Sequence, residues 1–214
     1  MSAREFIPPS ADLTRLAEAA KSCRGCELYA NATQTVFGAG PPTARVVLVG
    51  EQPGDVEDRR GEPFVGPAGR LLDESLEEAG IPRSEAYVTN AVKHFRFTQT
   101  GRRRLHQTPG PEHIEACRPW LVAEFALLNP EVVVILGATA LKALLGGEYR
   151  VTRDRGRLLP FPVPTNAEET ATHHTHAVIT THPSAILRTP SEVREQARVA
   201  FVNDLKVAAS VLAR

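Results

Sequence analysis

Short apolar runs alternate along the chain with longer segments in which apolar residues recur every three or four positions. The runs are rich in β-branched residues, which is typical of strands buried on both faces of a sheet, and they span residues 46–49, 86–92, 131–136 and 177–180. Helical periodicity begins after a cap at Ser10 and recurs in residues 70–79, 112–129, 138–145 and 191–213. This alternation predicts an α/β fold with three α/β/α layers around a central four-stranded parallel sheet.

The composition is that of an ordinary globular protein. The chain has 214 residues, 42% of them hydrophobic and 23% charged, which predicts a single domain over residues 1–214. No apolar stretch reaches the length of a membrane span, and the start lacks the apolar core of a signal peptide, so we expect a cytoplasmic, nucleoid-associated monomer with no membrane partner. The net charge is zero, so any nucleic-acid surface must be a local patch.

Polar side chains stand where three of the predicted strands end. Glu51 follows the first strand, Asn90 lies near the end of the second, and His182 follows the fourth. Phe64 and His106 lie on the intervening loops. Since ligands of open α/β sheets bind at the carboxyl ends of strands, we expect these five residues to meet in one crevice. Taken singly, each also has a simpler interpretation, such as a solvated turn residue, a core aromatic or a phosphate contact.

One segment is basic and contains no carboxylate. Residues 86–111 include no Asp or Glu, and their basic and aromatic residues interleave; these are Lys93, Phe95, Arg96, Phe97, Arg102, Arg103 and Arg104. Positive charge with aromatic side chains in a loop is typical of a surface for a nucleic-acid strand, although a solvated basic loop has the same composition. His106 ends the segment, where an exposed imidazole can act as a nucleophile or base or contact a phosphate.

Three cysteines in a chain without an export signal favour free thiols over a disulfide framework. Cys23 and Cys26 form a C-x-x-C turn, which lets two thiolates reach one metal. The spacing alone leaves zinc, an iron–sulfur cluster, a redox pair and idle thiols open, and Cys117 can be simply buried. Three more potential ligands lie in a polar stretch without a nearby thiol, and we expect them to be solvent-exposed; they are His173, His174 and His176.

Four motifs at these positions resemble those of the uracil-DNA glycosylase superfamily, and most closely those of its iron–sulfur family 4 enzymes. They are G-E-Q-P-G at 50–54, P-F-V-G-P-A-G at 63–69, V-T-N-A-V-K-H at 88–94 and T-H-P-S at 181–184. The basic segment ending in Arg-Leu-His at 104–106 resembles an insertion of the UdgX type, whose histidine bonds covalently to the DNA sugar and which ordinary family 4 enzymes lack. The resemblance extends from residue 23 to about residue 210.

This resemblance implies excision of uracil from DNA, with single strands preferred because a base there costs least to flip. It implies that Phe64 stacks on uracil, that Asn90 pairs with its N3–H and O4, and that His182 stabilises the charge developing near O2. His106 would then attack C1′ of the sugar, with Glu51 orienting and activating the attacking group. The other implied contacts are to substrate by Gln52, Gly54, Asp55 and Ser184, and to phosphates by Arg102, Arg103, Arg104 and residues 150–157.

The resemblance also implies a [4Fe–4S] cluster held by Cys23, Cys26, His94 and Cys117. Family 4 enzymes use four Cys, and His94 stands at the place of the third; imidazole can replace thiolate on cluster iron. A Cys₃His zinc site has the same donors, so spacing alone does not separate the two. Two other functions stay open: a turnover glycosylase that uses water, and a non-enzymatic nucleotide- or metal-binding α/β module, which could not release uracil.

Overall fold

A five-stranded sheet forms the centre of the computed structural model, which describes residues 1–163 and 175–213. Four strands are parallel, namely β1 (Val46–Gly50), β2 (Ala86–Asn90), β5 (Val132–Leu136) and β7 (His176–Thr180). The short strand β6 (Leu158–Pro160) runs antiparallel to β7 at one edge, and the order across the sheet is β2-β1-β5-β7-β6. Every residue of the parallel strands except His176 is buried, as expected where helices cover both faces.

Two pairs of helices provide the outer layers. Helices α3 (Pro67–Ala79) and α8 (Ser191–Leu212) cover one face of the sheet, and α4 (Pro111–Leu128) and α5 (Ala138–Leu145) cover the other. Successive side chains of each strand fall into two separate apolar clusters, one beneath each pair of helices. The predicted three-layer α/β/α architecture is therefore confirmed.

The amino-terminal segment packs beside α4 rather than on the sheet. Helix α1 (Leu13–Ala20) contacts α4, and the cap of α1 is Asp12, which accepts from the Arg15 main-chain N–H, rather than the predicted Ser10. Three 3₁₀ helices complete this part and the approach to β2; they are Ala3–Phe6, Glu27–Ala30 and Arg83–Glu85. All three cysteines lie in the apolar cluster between this segment and α4.

The structure contains short elements that the sequence pattern did not predict. These are α2 (Asp55–Arg60), α6 (Val151–Asp154), α7 (Pro183–Arg188), β6, and an antiparallel hairpin of β3 (Phe97–Thr100) and β4 (Arg103–His106). The sheet therefore has five strands rather than four. Each of these elements is six residues or shorter, which is too short to show a clear period of burial.

The predicted exposed histidine loop is only partly described. His176 is the first residue of β7 and is partly buried, so the expectation of full exposure is wrong for it. His173 and His174 lie outside the described residues. Among the helices in residues 1–163 and 175–213, none combines the length and apolar character needed to cross a bilayer.

Candidate active site

A cavity of about 800 Å³ opens where the parallel strands reach their carboxyl ends. This is the usual place and size for a small-ligand site in an α/β protein. Eight of the residues singled out from the sequence line it: Glu51, Gln52, Gly54, Phe64, Asn90, His106, His182 and Ser184. The sheet topology thus gathers side chains that are far apart in the chain, whereas Asp55 is not among the lining residues.

Gly50 ends β1 among three residues that line the cavity, Phe64, Asn90 and His182, and a side chain would not fit there. A Cβ added at Gly50 would lie 2.4 Å from Asn90 Oδ1 and 2.8 Å from the Phe64 ring. Asn90 is 3% exposed, and its Oδ1 has no hydrogen-bond partner in the part of the chain that the structure describes. Because a buried acceptor without a partner is costly, this oxygen can accept from a donor that enters the cavity.

Phe64 is held in an uncommon backbone conformation. Its φ of +57° lies in the left-handed region, which few residues other than glycine adopt. The turn is tight against α3, since a Cβ at Gly69 would lie 1.6 Å from the Phe64 carbonyl oxygen. The Phe64 and His182 rings have centroids 6.1 Å apart and planes inclined by 26°. An aromatic face therefore borders the cavity next to the histidine.

His182 lines the cavity with a ring nitrogen that carries a proton. Its Nδ1 accepts from the Ser184 main-chain N–H at 3.1 Å and lies 2.9 Å from the Ser184 hydroxyl, which assigns the ring proton to Nε2. A Cβ added at Gly50 would lie 3.5 Å from this Nε2. Burial lowers the pKa of His182 to about 4, despite the opposing influence of Glu51. At neutral pH the ring is thus an uncharged donor that Ser184 orients.

Glu51 contacts His106 directly, a point that the sequence does not decide. His106 Nε2 lies 3.2 Å from Glu51 Oε1, and the Thr139 hydroxyl donates to Glu51 Oε2. Burial by itself raises the pKa of Glu51, but the neighbouring imidazole of His106, the hydrogen bond from Thr139 and the nearby His182 outweigh it and lower the pKa below its ordinary value. The site therefore holds a carboxylate against the half-exposed imidazole of His106.

Gln52 fastens the base of the hairpin that carries His106. Its Nε2 donates to the main-chain oxygens of Arg96 and Gln107, each at 3.1 Å, and its Oε1 accepts from the Arg96 N–H at 3.0 Å. Three of its hydrogen-bonding positions are thus occupied by residues that flank the hairpin, although Gln52 also lines the cavity. The sequence predicts a substrate contact for Gln52, and the structure adds a role in holding the hairpin.

Arg104 anchors the hairpin to α2. Its guanidinium binds Asp55 and, at 2.6 Å, the fully buried Asp58, and it lies 5.4 and 5.0 Å from the ring centroids of Phe95 and Phe97. The Arg104 side chain is only 9% exposed. Arg104 is consequently occupied within the protein rather than turned towards a phosphate, and the Asp55 carboxylate binds arginine rather than facing the cavity. The two aromatic rings are likewise used inside the hairpin.

The basic segment is divided by the fold into a buried and an exposed part. Arg102 and Arg103 are exposed, and neither makes an ion pair with any residue in the described ranges. Lys93 is fully buried, so it does not belong to the nucleic-acid surface predicted for the segment. Of the predicted phosphate contacts in the hairpin, Arg102 and Arg103 alone present their charge to solvent.

The second basic region, residues 150–157, is largely paired with carboxylates. Arg153 and Arg157 lie 2.9 and 3.4 Å from the buried Asp154, and Arg155 donates to Asp204 at 2.9 Å. Arg153 and Arg157 pair with Asp154 but keep 63% and 64% of their side-chain surface exposed, so the role of this region in holding phosphates stays a prediction.

The three cysteines are buried and lie together where the amino-terminal segment packs against α4. All are free, and their sulfurs receive N–H donors, since Trp120 Nε1 lies 3.3 Å from Cys23 Sγ and the Lys93 main-chain N lies 3.2 Å from Cys117 Sγ. Such N–H donors commonly surround metal-bound thiolates. Burial raises the pKa of Cys117 to about 12 and also raises that of Cys26. Without a bound cation these groups are therefore neutral thiols.

His94 is buried in the protonation state that a metal ligand requires. Its Nε2 lies 2.9 Å from Thr35 Oγ1, which itself donates to the Ala20 carbonyl at 2.7 Å. The hydroxyl proton is thus already used, so Nε2 must donate and Nδ1 keeps a free lone pair. Burial lowers the pKa of His94 to about 4, so the ring is neutral at pH 7.

Cys23, Cys26, His94 and Cys117 are donors of the kind that an iron–sulfur cluster uses. No group of three or more His, Cys, Asp or Glu side chains within residues 1–163 and 175–213 is arranged to hold one metal ion. The ligands of a [4Fe–4S] cluster bind different irons and need not converge on one point. Three thiols and one neutral imidazole are therefore suitable donors for such a cluster.

Three residues that the sequence pattern did not single out make important contacts in the folded chain; they are Thr139, Asp58 and Glu124. Thr139 could have been found, because it follows β5 at the same end of the sheet as Glu51 and His182. Asp58 and Glu124 carry no such signal, since an acidic residue in a helix is ordinarily solvated. Only the approach of α2 and α4 to other elements gives these carboxylates their buried partners.

Comparison with known proteins agrees with this site. Residues 37–206 match the uracil DNA glycosylase superfamily. A type-4 uracil-DNA glycosylase of Thermotoga maritima is 43% identical over 142 residues, covering 66% of this chain and 70% of that protein. One from Pyrobaculum aerophilum is 35% identical over 189 residues, covering 84% and 87%. A DNA polymerase of Bacillus phage SP01 is 30% identical over 182 residues, which cover 82% of this chain and 16% of the polymerase.

Proposed function

The chain belongs to the uracil-DNA glycosylase superfamily, and we propose that it excises uracil from DNA and is then joined covalently through His106 to C1′ of the resulting abasic site. The observation that carries the covalent step is the 3.2 Å contact between His106 Nε2 and the Glu51 carboxylate at the edge of the cavity. This contact supports the proposal, because an imidazole beside a carboxylate can act as a nucleophile and because the hairpin that carries His106 resembles the UdgX insertion.

Base recognition is assigned to Asn90 and Phe64. Asn90 Oδ1, which has no hydrogen-bond partner among the described residues, accepts from N3–H of uracil, and the amide NH₂ donates to O4, while Phe64 stacks on the ring. Cytosine reverses this pattern of donor and acceptor and would leave buried polar groups unpaired, which a site can reject strongly.

Departure of uracil is assisted by His182. The bonding electrons of the N-glycosidic bond leave with the base, so negative charge develops on its oxygen atoms. The neutral His182 Nε2–H donates to O2 as this charge grows, and Ser184 holds the ring in place for it. The sugar is left as an oxocarbenium ion, which the ionised Glu51 stabilises.

His106 then captures the sugar. A ring nitrogen donates its lone pair to C1′ and forms the new C–N bond, and the ring proton passes to Glu51 or to solvent. Gln52 and Arg104 hold the hairpin in place during this step. Because the product remains attached, each molecule reacts at most once.

Arg102 and Arg103 are the proposed phosphate contacts, since they are the exposed cations of the hairpin. Single-stranded DNA is the favoured substrate, because flipping a base out of a duplex costs a few kcal/mol more. Cys23, Cys26, His94 and Cys117 would hold a [4Fe–4S] cluster, which when bound supplies a cross-link between the amino-terminal segment, the residues after β2 and α4.

The test is incubation with a uracil-containing oligonucleotide, followed by a denaturing gel and by alkaline cleavage of abasic sites. We expect a shifted protein–DNA band for the natural protein. The His106→Ser variant should lose the band but still release uracil, because uracil departure uses Asn90, His182 and Phe64, and water then captures the sugar. A band that persists in the variant would identify another nucleophile. Turnover without any band in the natural protein would show an ordinary water-using glycosylase.

A further inference from the structure

A buried ion pair lies between the cavity and the three buried cysteines. It takes no part in the mechanism above. Lys93 is fully buried, and its ammonium group pairs with Glu124 of α4, which is 1% exposed. Buried charged pairs give little net stability, because the cost of removing two charges from water offsets their attraction. Stability alone therefore does not account for this pair.

Every charged atom of the pair makes hydrogen bonds. Lys93 Nζ donates to Glu124 Oε2, to the Thr89 hydroxyl and to the main-chain oxygen of Asn90, the last at 3.0 Å. Glu124 Oε1 accepts from the hydroxyls of Tyr87 and Thr89, each at 2.9 Å. Three of these partners belong to β2, so the pair fastens the carboxyl end of this strand to α4.

Asn90 needs such support more than its counterparts on the inner strands. β2 is the edge strand of the sheet. β1 pairs with it along its whole length on one side, whereas on the other side it makes only an isolated bridge, between Val88 and Ala39, and this bridge ends two residues before Asn90. The side-chain Oδ1 of Asn90 has no partner within the described ranges, so it is placed by the backbone that carries it. The ammonium group of Lys93 grips that backbone at the Asn90 carbonyl.

We propose that the Lys93–Glu124 ion pair is a positioning element for base recognition, which holds the Asn90 carbonyl and thereby keeps the Asn90 amide at the angle that pairs with uracil. This rests on the uracil-excising function proposed above. The Lys93 main-chain N–H also binds Cys117 Sγ at 3.2 Å. The same lysine therefore donates hydrogen bonds to both Asn90, the proposed base-recognition residue, and Cys117.

The test compares the double variant Lys93→Met/Glu124→Gln with the natural protein and with Tyr87→Phe. The double variant removes both charges together, so neither remains buried alone. Tyr87→Phe is the matched control, because it removes one hydrogen bond to Glu124 and leaves the contact between Lys93 and Asn90 intact. The readouts are the single-turnover rate of uracil release, the Kd for free uracil by NMR titration, the Kd for an oligonucleotide without uracil, and the iron content.

In the double variant we expect the release rate to fall on the order of 10–10²-fold, with weaker binding of free uracil. The affinity for the uracil-free oligonucleotide and the iron content should stay at the natural values, and Tyr87→Phe should behave like the natural protein. A purely structural role would lower the amount of folded protein but leave the rate per folded molecule unchanged, and that result would overturn the proposal. Absence of uracil release from the natural protein would instead refute the proposed function.

Should the double variant not fold, Lys93→Gln/Glu124→Gln provides the same test. It also removes both charges and the ammonium contact with the Asn90 carbonyl, but it keeps amide groups that can bind the hydroxyls of Tyr87 and Thr89. We expect a several-fold slower release of uracil with unchanged affinity for the uracil-free oligonucleotide. A natural release rate in this variant would refute the positioning role.

Discussion

At the scale of single residues, the site depends on one neutral donor and one carboxylate, and the fold lowers the pKa of both. Burial lowers the pKa of His182 to about 4, which keeps its ring neutral at pH 7, and the neighbours of Glu51 lower its pKa although burial by itself would raise it. Neighbouring groups account for the shift of Glu51, and burial accounts for that of His182. The Thr139 hydroxyl donates to one oxygen of Glu51 and His106 Nε2 lies 3.2 Å from the other, whereas the attraction of Glu51 for a protonated His182 offsets only part of the effect of burial.

The environment of His182 predicts a dependence of stability on pH. Its pKa is lower in the folded protein than in the unfolded chain, where it is about 6.5, so the unfolded chain binds more protons between these values. The free energy of unfolding therefore falls as the pH drops from about 6.5 towards 4. At pH 5 the loss from this group is about 1–2 kcal/mol. Urea unfolding of the natural protein and of His182→Gln at pH 7 and pH 5 measures it.

The variant should lose less stability than the natural protein over this interval. Equal losses in the two proteins would show that His182 titrates normally in the folded state, and its assignment as a neutral donor would then fail.

At the scale of elements, the β3–β4 hairpin is the feature that sets the proposed covalent reaction apart. It carries His106 at its end and is held at two points, by Gln52 at its base and by Arg104 on α2. Its two exposed arginines, Arg102 and Arg103, are the proposed contacts to DNA phosphates. The hairpin can therefore bring both a phosphate contact and the nucleophile to one nucleotide.

Replacing Arg104 by Lys should separate excision from adduct formation. Lysine keeps the charge but cannot bind Asp55 and Asp58 through a planar fork or stack on both aromatic rings. With the hairpin loosened, we expect the share of reacted sites that become protein-linked to fall about tenfold, and free abasic sites to appear in their place. The rate of uracil release should change by less than about twofold. Gel quantification of adduct and abasic product measures the partition.

Arg103→Lys is the matched control, since it makes the same change at an exposed neighbour on the same strand. It should leave the partition unchanged. Equal effects of the two substitutions would mean that the anchoring of Arg104 has no bearing on the covalent step.

At the scale of the whole molecule, the three cysteines and His94 come from parts of the chain that the sheet does not hold together. Cys23 and Cys26 belong to the amino-terminal segment, His94 follows β2, and Cys117 lies in α4. A cluster bound there would contribute directly to folding, because its ligands come together only in the folded state.

We expect the purified protein to contain iron and to absorb broadly near about 400 nm. Cys117→Ala should lose the iron and unfold at a lower urea concentration, whereas Ser22→Ala, an exposed change beside Cys23, should alter neither property. Metal analysis, absorbance and urea unfolding test this. A colourless protein with stoichiometric zinc would contradict the assignment.

The sequence by itself determined the order of the main strands and helices and the end of the sheet at which the site lies. This information is local, because buried parallel strands are continuous apolar runs and their carboxyl ends face one side. It located Glu51, Asn90 and His182 correctly at that side without any contact being known. The family motifs added Ser184 and His94, which neither periodicity nor composition distinguishes.

Only the tertiary structure decided what each charged side chain faces. Lys93, Arg102 and Arg104 belong to one basic segment and are alike in composition, yet one is buried with Glu124, one is exposed and one anchors a hairpin. Burial of a charge depends on a partner contributed by a distant element, here α4 or α2, and no local pattern records that approach. The protonation of His182 and Glu51 follows the same rule, because their pKa values are set by neighbours that the fold brings together.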